Sequence, residues 1–158
     1  MIAIDPGASG AIVFKTATGL CVEKMPQTRR DVLDLLVLAY GAGNSLCLIE
    51  KVGMHMKGNA ASSSVKLAKS CERVGCAAEF AGLEVHEVTS KDWQKPLQPL
   101  TKGNSYEQKK ARKNEIKAHM QRRFPNIKIT LWNADALAIY CYGIEDFNKR
   151  RSDRQKEG

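Results

Sequence analysis

The sequence predicts an α/β fold built on a five-stranded mixed sheet, three antiparallel strands followed by two parallel ones, flanked by helices. Two observations carry that expectation. Three short apolar runs open the chain, 2–4, 11–15 and 20–25, separated by glycine-containing turns, which is the pattern of an antiparallel meander. Beyond them, apolar runs of strand length alternate with longer segments of helical periodicity, the order that builds parallel pairing around crossover helices. At 158 residues the chain suits one domain, large enough for a core without disulfides or a structural metal. That domain is expected over 1–147, with 148–158 a basic tail outside it.

Taken in order, the first strand ends at Asp5 and is followed by Pro6, Gly7 and Gly10, which mark a tight turn. A helix is expected over 28–40, where Val32, Leu35, Leu36 and Ala39 fall at helical spacing and Gly41 and Gly43 stop it. The run Leu46, Cys47, Leu48, Ile49 has the length and composition of a buried parallel strand, closed by Glu50. Residues 52–61 read as a loop, and Ser62 or Ser63 as the cap of a helix ending near Phe80. A fifth strand is expected over 83–88, a short helical piece over 90–95 and a polar loop over 96–105. A basic helix comes next over 106–124, stopped by Pro125, and a final helix runs from about 131 to 147. If the first and fourth strands are adjacent and parallel, their carboxyl ends meet at one sheet edge, where open α/β sheets place ligands.

That edge would hold carboxylates. Asp5, Glu50 and Asp135 each stand alone in an apolar run and lie far apart in sequence. Burying an ionised carboxylate costs several kcal/mol, on the order of what a cation or hydrogen bonds must return. Three of them together call for a hard divalent cation, and Mg2+, with Mn2+ as a substitute, suits a few Asp and Glu oxygens that share the ion with phosphate. Taken singly, each acid is better read without a metal, Asp5 as an N-cap or turn, Glu50 as a salt-bridged strand end and Asp135 as an exposed helix position; the metal reading gains only when all three are taken together.

The formal charge of +8 favours a polyanionic partner. Lys102, Lys109, Lys110, Arg112, Lys113, Lys117, Arg122 and Arg123 cluster against only Glu107 and Glu115, and a second cluster fills the tail. Lys109, Lys110, Arg112, Lys113, Lys117, Arg122 and Arg123 are expected to meet backbone phosphates, with Lys57, Lys91 and Lys95 beside them. Met54, His55 and Met56, in the loop directly after Glu50, are candidates to press on unpaired bases. Other classes are excluded. No apolar stretch reaches about 18 residues, so no membrane span is expected. The N-terminus lacks a signal-type pattern. Five cysteines, odd in number and set in apolar patterns, fit reduced thiols rather than a disulfide framework, and Cys71 and Cys76 have no partners at zinc spacing.

These segments, in this order, resemble the RuvC-type Holliday junction resolvases of the ribonuclease H-like superfamily. IAIDPGASGAIV resembles the family's first strand motif and CLIEKVGMHMKGNAASSSVKLAKSCERVG its second acidic strand with the adjoining loop and helix. VHEVTSKDWQK resembles the fifth strand and the segment after it, ARKNEIKAHM the start of a basic helix, and NADALAIYCYG the final acidic helix. The resemblance implies a dimeric, magnesium-dependent endonuclease that nicks two strands of like polarity at a four-way DNA junction, in the cytoplasm of a bacterium or phage-infected cell. It implies Asp5, Glu50 and Asp135 as metal ligands, Lys113 as a lysine of the active site, and Lys95 as a second near the fifth strand. A symmetric dimer would select the junction by the spacing of its two sites. The helix over 64–80, with Val65, Leu67, Ala68 and Val74, is the expected dimer surface, although about half of those residues must serve the core.

The family usually carries two aspartates three residues apart on the last helix. Here Trp132 occupies the first position and Asp135 alone remains; His119 and Asp92 are the candidate replacements. Three other readings compete. The segment IDPGASGA also resembles the phosphate loop of actin-like and sugar-kinase ATPases, but those need two domains and further motifs. Another ribonuclease H-like nuclease is a second alternative, and a branched-DNA-binding protein without cleavage a third.

Overall fold

The computed structural model describes residues 1–51, 61–147 and 149, the side chains of 61–64 excepted. One five-stranded sheet runs β3-β2-β1-β4-β5, with β1 Ile2–Ile4, β2 Ala11–Thr16, β3 Gly19–Lys24, β4 Leu46–Glu50 and β5 Glu84–Val88. The first three strands are antiparallel, and both β1–β4 and β4–β5 are parallel. The predicted mixed sheet is therefore the observed one, with the first and fourth strands side by side.

Two cores pack the two faces. Alternation along a strand sends successive side chains to opposite sides. Ile2 and Ile4 of β1 join a cluster with Val32, Leu36 and Ala39 of α1 (Arg29–Gly41) and Val74 and Ala78 of α2 (Ala61–Phe80). Ala3 and Leu48 join the other, formed with Ile116 and Met120 of α4 (Tyr106–Arg123) and the buried length of α5 (Ala134–Tyr142). Between them in the chain lies the short α3 (Ser90–Gln94), whose Trp93 is 2% exposed and belongs to the second core.

The helix ends obey local chemistry. Thr28 caps α1, its Oγ1 accepting from the Asp31 amide at 3.1 Å. Thr89 with Asp92, and Ser105 with Gln108, form reciprocal capping boxes for α3 and α4. α2 already begins at Ala61, so neither Ser62 nor Ser63 precedes its first turn. The final helix also differs from expectation. Residues 131–133 form a turn, where Asn133 Oδ1 accepts from the Thr130 amide at 2.8 Å and its Nδ2 donates to the Lys128 carbonyl at 3.1 Å. Those bonds hold the entry, and α5 starts at Ala134; after Tyr142 the helix widens into a π-helical turn, Gly143–Phe147. Gly143 lets this helix approach the sheet, since a Cβ there would lie 2.7 Å from Leu48 Cδ1.

Val74, expected on the dimer surface, is fully buried, whereas Val65 is 52% exposed and Leu67 and Ala68 are half-buried. Met54, His55, Met56 and Lys57 lie outside the described residues, as does the tail from 150 onward. Among the described residues no helix is long and apolar enough to cross a membrane.

Candidate active site

The sheet register brings the first two acids together. Ile4 pairs with Ile49 across the parallel β1–β4 ladder, so Asp5 and Glu50 come next, side by side at the carboxyl ends of neighbouring strands. By parity Asp5 shares a face with Ala3 and Glu50 with Leu48, the face covered by α4 and α5. Asp135 sits in the first turn of α5, half-buried where its neighbours Ala134 and Ala136 are fully buried, and the positive end of the helix favours an anion there.

Each acid is held by its surroundings. The Gly7 amide donates to Asp5 Oδ1 at 3.2 Å, and the turn closes with the Gly10 amide on the Gly7 carbonyl at 2.8 Å. A Cβ on Gly10 would overlap the Asp5 carbonyl oxygen and come within 2.9 Å of its Cγ, so the motif's glycine permits the fold-back of the chain over the acid. Ser70 Oγ of α2 donates to the Pro6 carbonyl at 2.7 Å, tying this turn to the opposite helix layer. Glu50 Oε1 accepts from the indole Nε1 of Trp93 at 3.2 Å.

The electrostatics show the three acids as one group. Burial pushes the Glu50 carboxyl up to about 7, helped by repulsion from Asp5 and then Asp135, while the Trp93 bond and the charge of Lys113 pull the other way. Burial likewise raises Asp135 to about 6, with repulsion from Asp5 added and Lys113 and Arg112 opposing. Asp5 is raised by burial and lowered in part by the Gly7 amide and Lys113. The charge of Lys113, exposed in the middle of α4, is thus felt by all three, and the Cys71 thiol of α2, raised mainly by burial, also feels Asp5 and Glu50.

The donors fit a hard divalent ion. All three are carboxylates, and the ion pairs of the described residues, Arg30–Asp34, Lys51–Glu87, His86–Glu84 and Arg123–Glu145, include none of them. Their mutual repulsion is therefore left to Lys113 and to whatever cation binds. They are electrostatic neighbours rather than a closed cage: among the described residues no three His, Cys, Asp or Glu side chains already surround one point closely enough to hold an ion.

Two solved structures share this arrangement of strands and helices. The structure of Thermus thermophilus RuvC is 15% identical over 90% of this chain and 93% of that one, with a TM-score of 0.56. That of T. thermophilus RuvC in complex with Holliday junction substrate is 16% identical over 90% and 92%, also at 0.56. The chain has a RuvC-like fold. No family model matches the chain, and no curated protein matches it in sequence. The ribonuclease H-like sheet and the RuvC resemblance read from motif order both hold at the level of the fold, since identity this low speaks only to architecture.

Within the RuvC-like fold, Trp132 stands in the turn before α5, half-buried against the second core. The two candidate replacements have different surroundings. Asp92 Oδ2 accepts from the Thr89 amide and hydroxyl, at 3.1 and 2.6 Å, and His119 lies by Glu115. The basic cluster divides into different duties. Lys109, Lys110 and Arg122 are exposed, Lys117 is half-buried, and Lys91 and Lys95 are exposed on and just after α3. Arg112 Nη1 donates to the carbonyls of Thr101 and Gly103, both at 3.2 Å, and Arg123 is ion-paired with Glu145. Arg112 thus ties the loop before α4 to the helix, and Arg123 holds the helix's last turn. Sequence reasoning missed Trp93, whose contact with Glu50 spans 43 positions.

Proposed function

We propose that this chain is a structure-selective endonuclease that resolves four-way DNA junctions by paired symmetric nicks through divalent-metal-dependent phosphodiester hydrolysis. What supports the reading is that Asp5 and Glu50 follow neighbouring strand ends at the carboxyl edge of a RuvC-like sheet and are electrostatically coupled to Asp135 and Lys113. The similar T. thermophilus RuvC was solved with a Holliday junction substrate, which supports branched DNA as the partner here.

Asp5, Glu50 and Asp135 would hold Mg2+ or Mn2+, which when bound lowers the pKa of water and neutralises charge on the phosphoryl group and the leaving 3′ oxygen. The chain's own residues supply the rest. The Gly7 amide and Trp93 indole fix one oxygen each of Asp5 and Glu50, so both carboxylates are oriented before DNA arrives. Lys113 offsets the negative charge that grows on the phosphoryl oxygens, a contribution of about 10²- to 10³-fold in rate for comparable electrostatic donors. Lys109, Lys110, Lys117 and Arg122 meet backbone phosphates, with Lys91 and Lys95 beside α3. Arg112 and Arg123 join them through whatever capacity their anchoring bonds leave. Met54, His55, Met56 and Lys57 remain the candidates to touch unpaired bases at the crossover.

Junction selectivity requires two active sites at a fixed separation, hence a homodimer, with Val65, Leu67 and Ala68 of α2 as its surface. A synthetic four-way junction incubated with Mg2+ or Mn2+ tests the whole reading: paired nicks of like polarity support it, and intact junction refutes it. Trp132 favours one other reading, a junction-binding protein that does not cut. Tight, salt-sensitive binding without products under either metal would establish that instead. Cleavage confined to RNA-containing duplexes would assign a different ribonuclease H-like activity.

A further inference from the structure

A cationic cleft lies on the opposite face of the sheet from α4. Ala8, Met25, Pro26, Gln27, Arg29, Lys66, Lys69, Ser70 and Arg73 line a cleft of about 330 Å³ between the turn entering α1 and the exposed side of α2. Four of these side chains are cationic and none is acidic. Lys66, Lys69, Ser70 and Arg73 fall at i, i+3, i+4 and i+7, so a single stripe of α2 presents them. None of the four cations belongs to an ion pair of the described residues. The nearest carboxylate along the helix, Glu72, lines an adjoining, more apolar groove with Arg29, Lys69, Arg73 and Phe80.

Like charges gathered without counter-charge repel one another, and this cleft carries a further cost. Arg73 Nε is buried with no hydrogen-bond partner, while Nη1 reaches the Gln27 carbonyl at 3.4 Å and ties α2 to the turn. An anion relieves the repulsion. The cleft also has a place relative to the acids: Ala8, in its wall, belongs to the turn that folds over Asp5, and Ser70, in the same wall, holds the Pro6 carbonyl. The basic helix α4 packs on one face of the sheet and the cleft opens on the other.

We propose that this cleft binds backbone phosphates of the DNA strand that passes the carboxylates, so that DNA is held on both faces of the sheet rather than by α4 alone. The proposal rests on the nuclease reading for the identity of the strand, but its test does not depend on cleavage. With the full chain in EDTA, affinity for a labelled four-way junction is measured across a range of NaCl concentrations for the wild type, Lys66→Ala/Lys69→Ala and Lys109→Ala/Lys110→Ala. Each lost phosphate contact lowers the slope of log affinity against log salt by about 1, so the cleft variant is expected to lose about 2. Thermal melting checks that it folds, which the exposure of both lysines favours. With Mg2+, the same variant should need more junction for half-maximal cutting while its rate at saturation stays unchanged. An unchanged salt slope overturns the proposal, and so does an affinity loss without a change in slope, which would mean distortion rather than lost contacts. If the slope falls but the wild type never cuts, the cleft stands and the nuclease reading fails; if the wild type cuts and the slope is unmoved, the reverse holds.

Discussion

At the scale of single residues, the site is defined by how each carboxylate is kept and what opposes it. Asp5 is held by the Gly7 amide, feels the charge of Lys113 and is electrostatically coupled to both other acids, so Asp5→Asn should abolish nicking while leaving junction binding nearly intact, as read by gel assays with and without metal. On the proposed reading Trp93 would be a positioning residue, acting only through the Glu50 oxygen that its indole holds. Its indole bond pulls the Glu50 carboxyl down, so Trp93→Phe should raise that carboxyl above about 7 and move the rising limb of the pH–rate profile to higher pH. A loss of rate that is uniform with pH would mean that Trp93 only packs. Stability carries the same signature. Glu50 ordinarily loses its proton near 4.5 but holds it to about 7 when folded, so the folded state binds more protons across that window. In the absence of metal, stability is therefore full below about 4.5 and falls as pH rises through about 7. Glu50→Gln should remove most of that fall and stabilise the metal-free protein at pH 8 by roughly 2–3 kcal/mol at most, with little effect at pH 4, measured by urea unfolding. The acids themselves were visible in the sequence because a lone carboxylate within or at the end of an apolar run is conspicuous. Trp93 was not, because nothing local distinguishes a core tryptophan from one whose N–H meets an acid 43 positions away.

At the scale of elements, the lysine and arginine residues of α4 turn out to have unequal roles. Ile116 and Met120 fix which side of the helix meets the core, and that rotation leaves the charge of Lys113 to be felt by all three acids while Arg112 is taken up by the carbonyls of Thr101 and Gly103. Lys113→Ala should accordingly slow cutting by about 10²- to 10³-fold with little change in junction affinity, whereas Lys109→Ala/Lys110→Ala should weaken binding and flatten its salt dependence with little change in rate at saturation. Equal effects of the two variants on rate would remove the distinction. Composition shows that the segment is basic and helical, but not this division, because charge count is blind to helix rotation. The bounds of α1 and α4 were legible from apolar spacing and from the glycines and proline that stop them, whereas the cap expected at Ser62 or Ser63 was misplaced because α2 begins at Ala61. The start of α5 was also misread, where the side chain of Asn133 stabilises a turn that hydrophobic periodicity alone assigns to the helix.

At the scale of the whole molecule, the sheet acts as a partition with acids at its edge and positive charge available on either side. Because the three acids repel one another without an ion pair, a divalent cation should stabilise the folded protein, and more so as pH rises and the carboxyls ionise. Mg2+ is expected to raise the melting temperature at pH 8 clearly more than at pH 5, and Asp5→Asn should blunt that gain; equal gains at both pH values would place the ion elsewhere. The sequence by itself determined the α/β class, the order of strands and helices, and the identity of the three acids, because apolar periodicity and turn chemistry are local properties that survive without a partner segment. Tertiary structure decided what those acids are: the β1–β4 register made Asp5 and Glu50 neighbours, burial beneath α4 and α5 raised their pKa values, and packing chose Lys113 and Trp93 to face them. Desolvation and charge coupling depend on distance in space, and chain spacing carries no record of it.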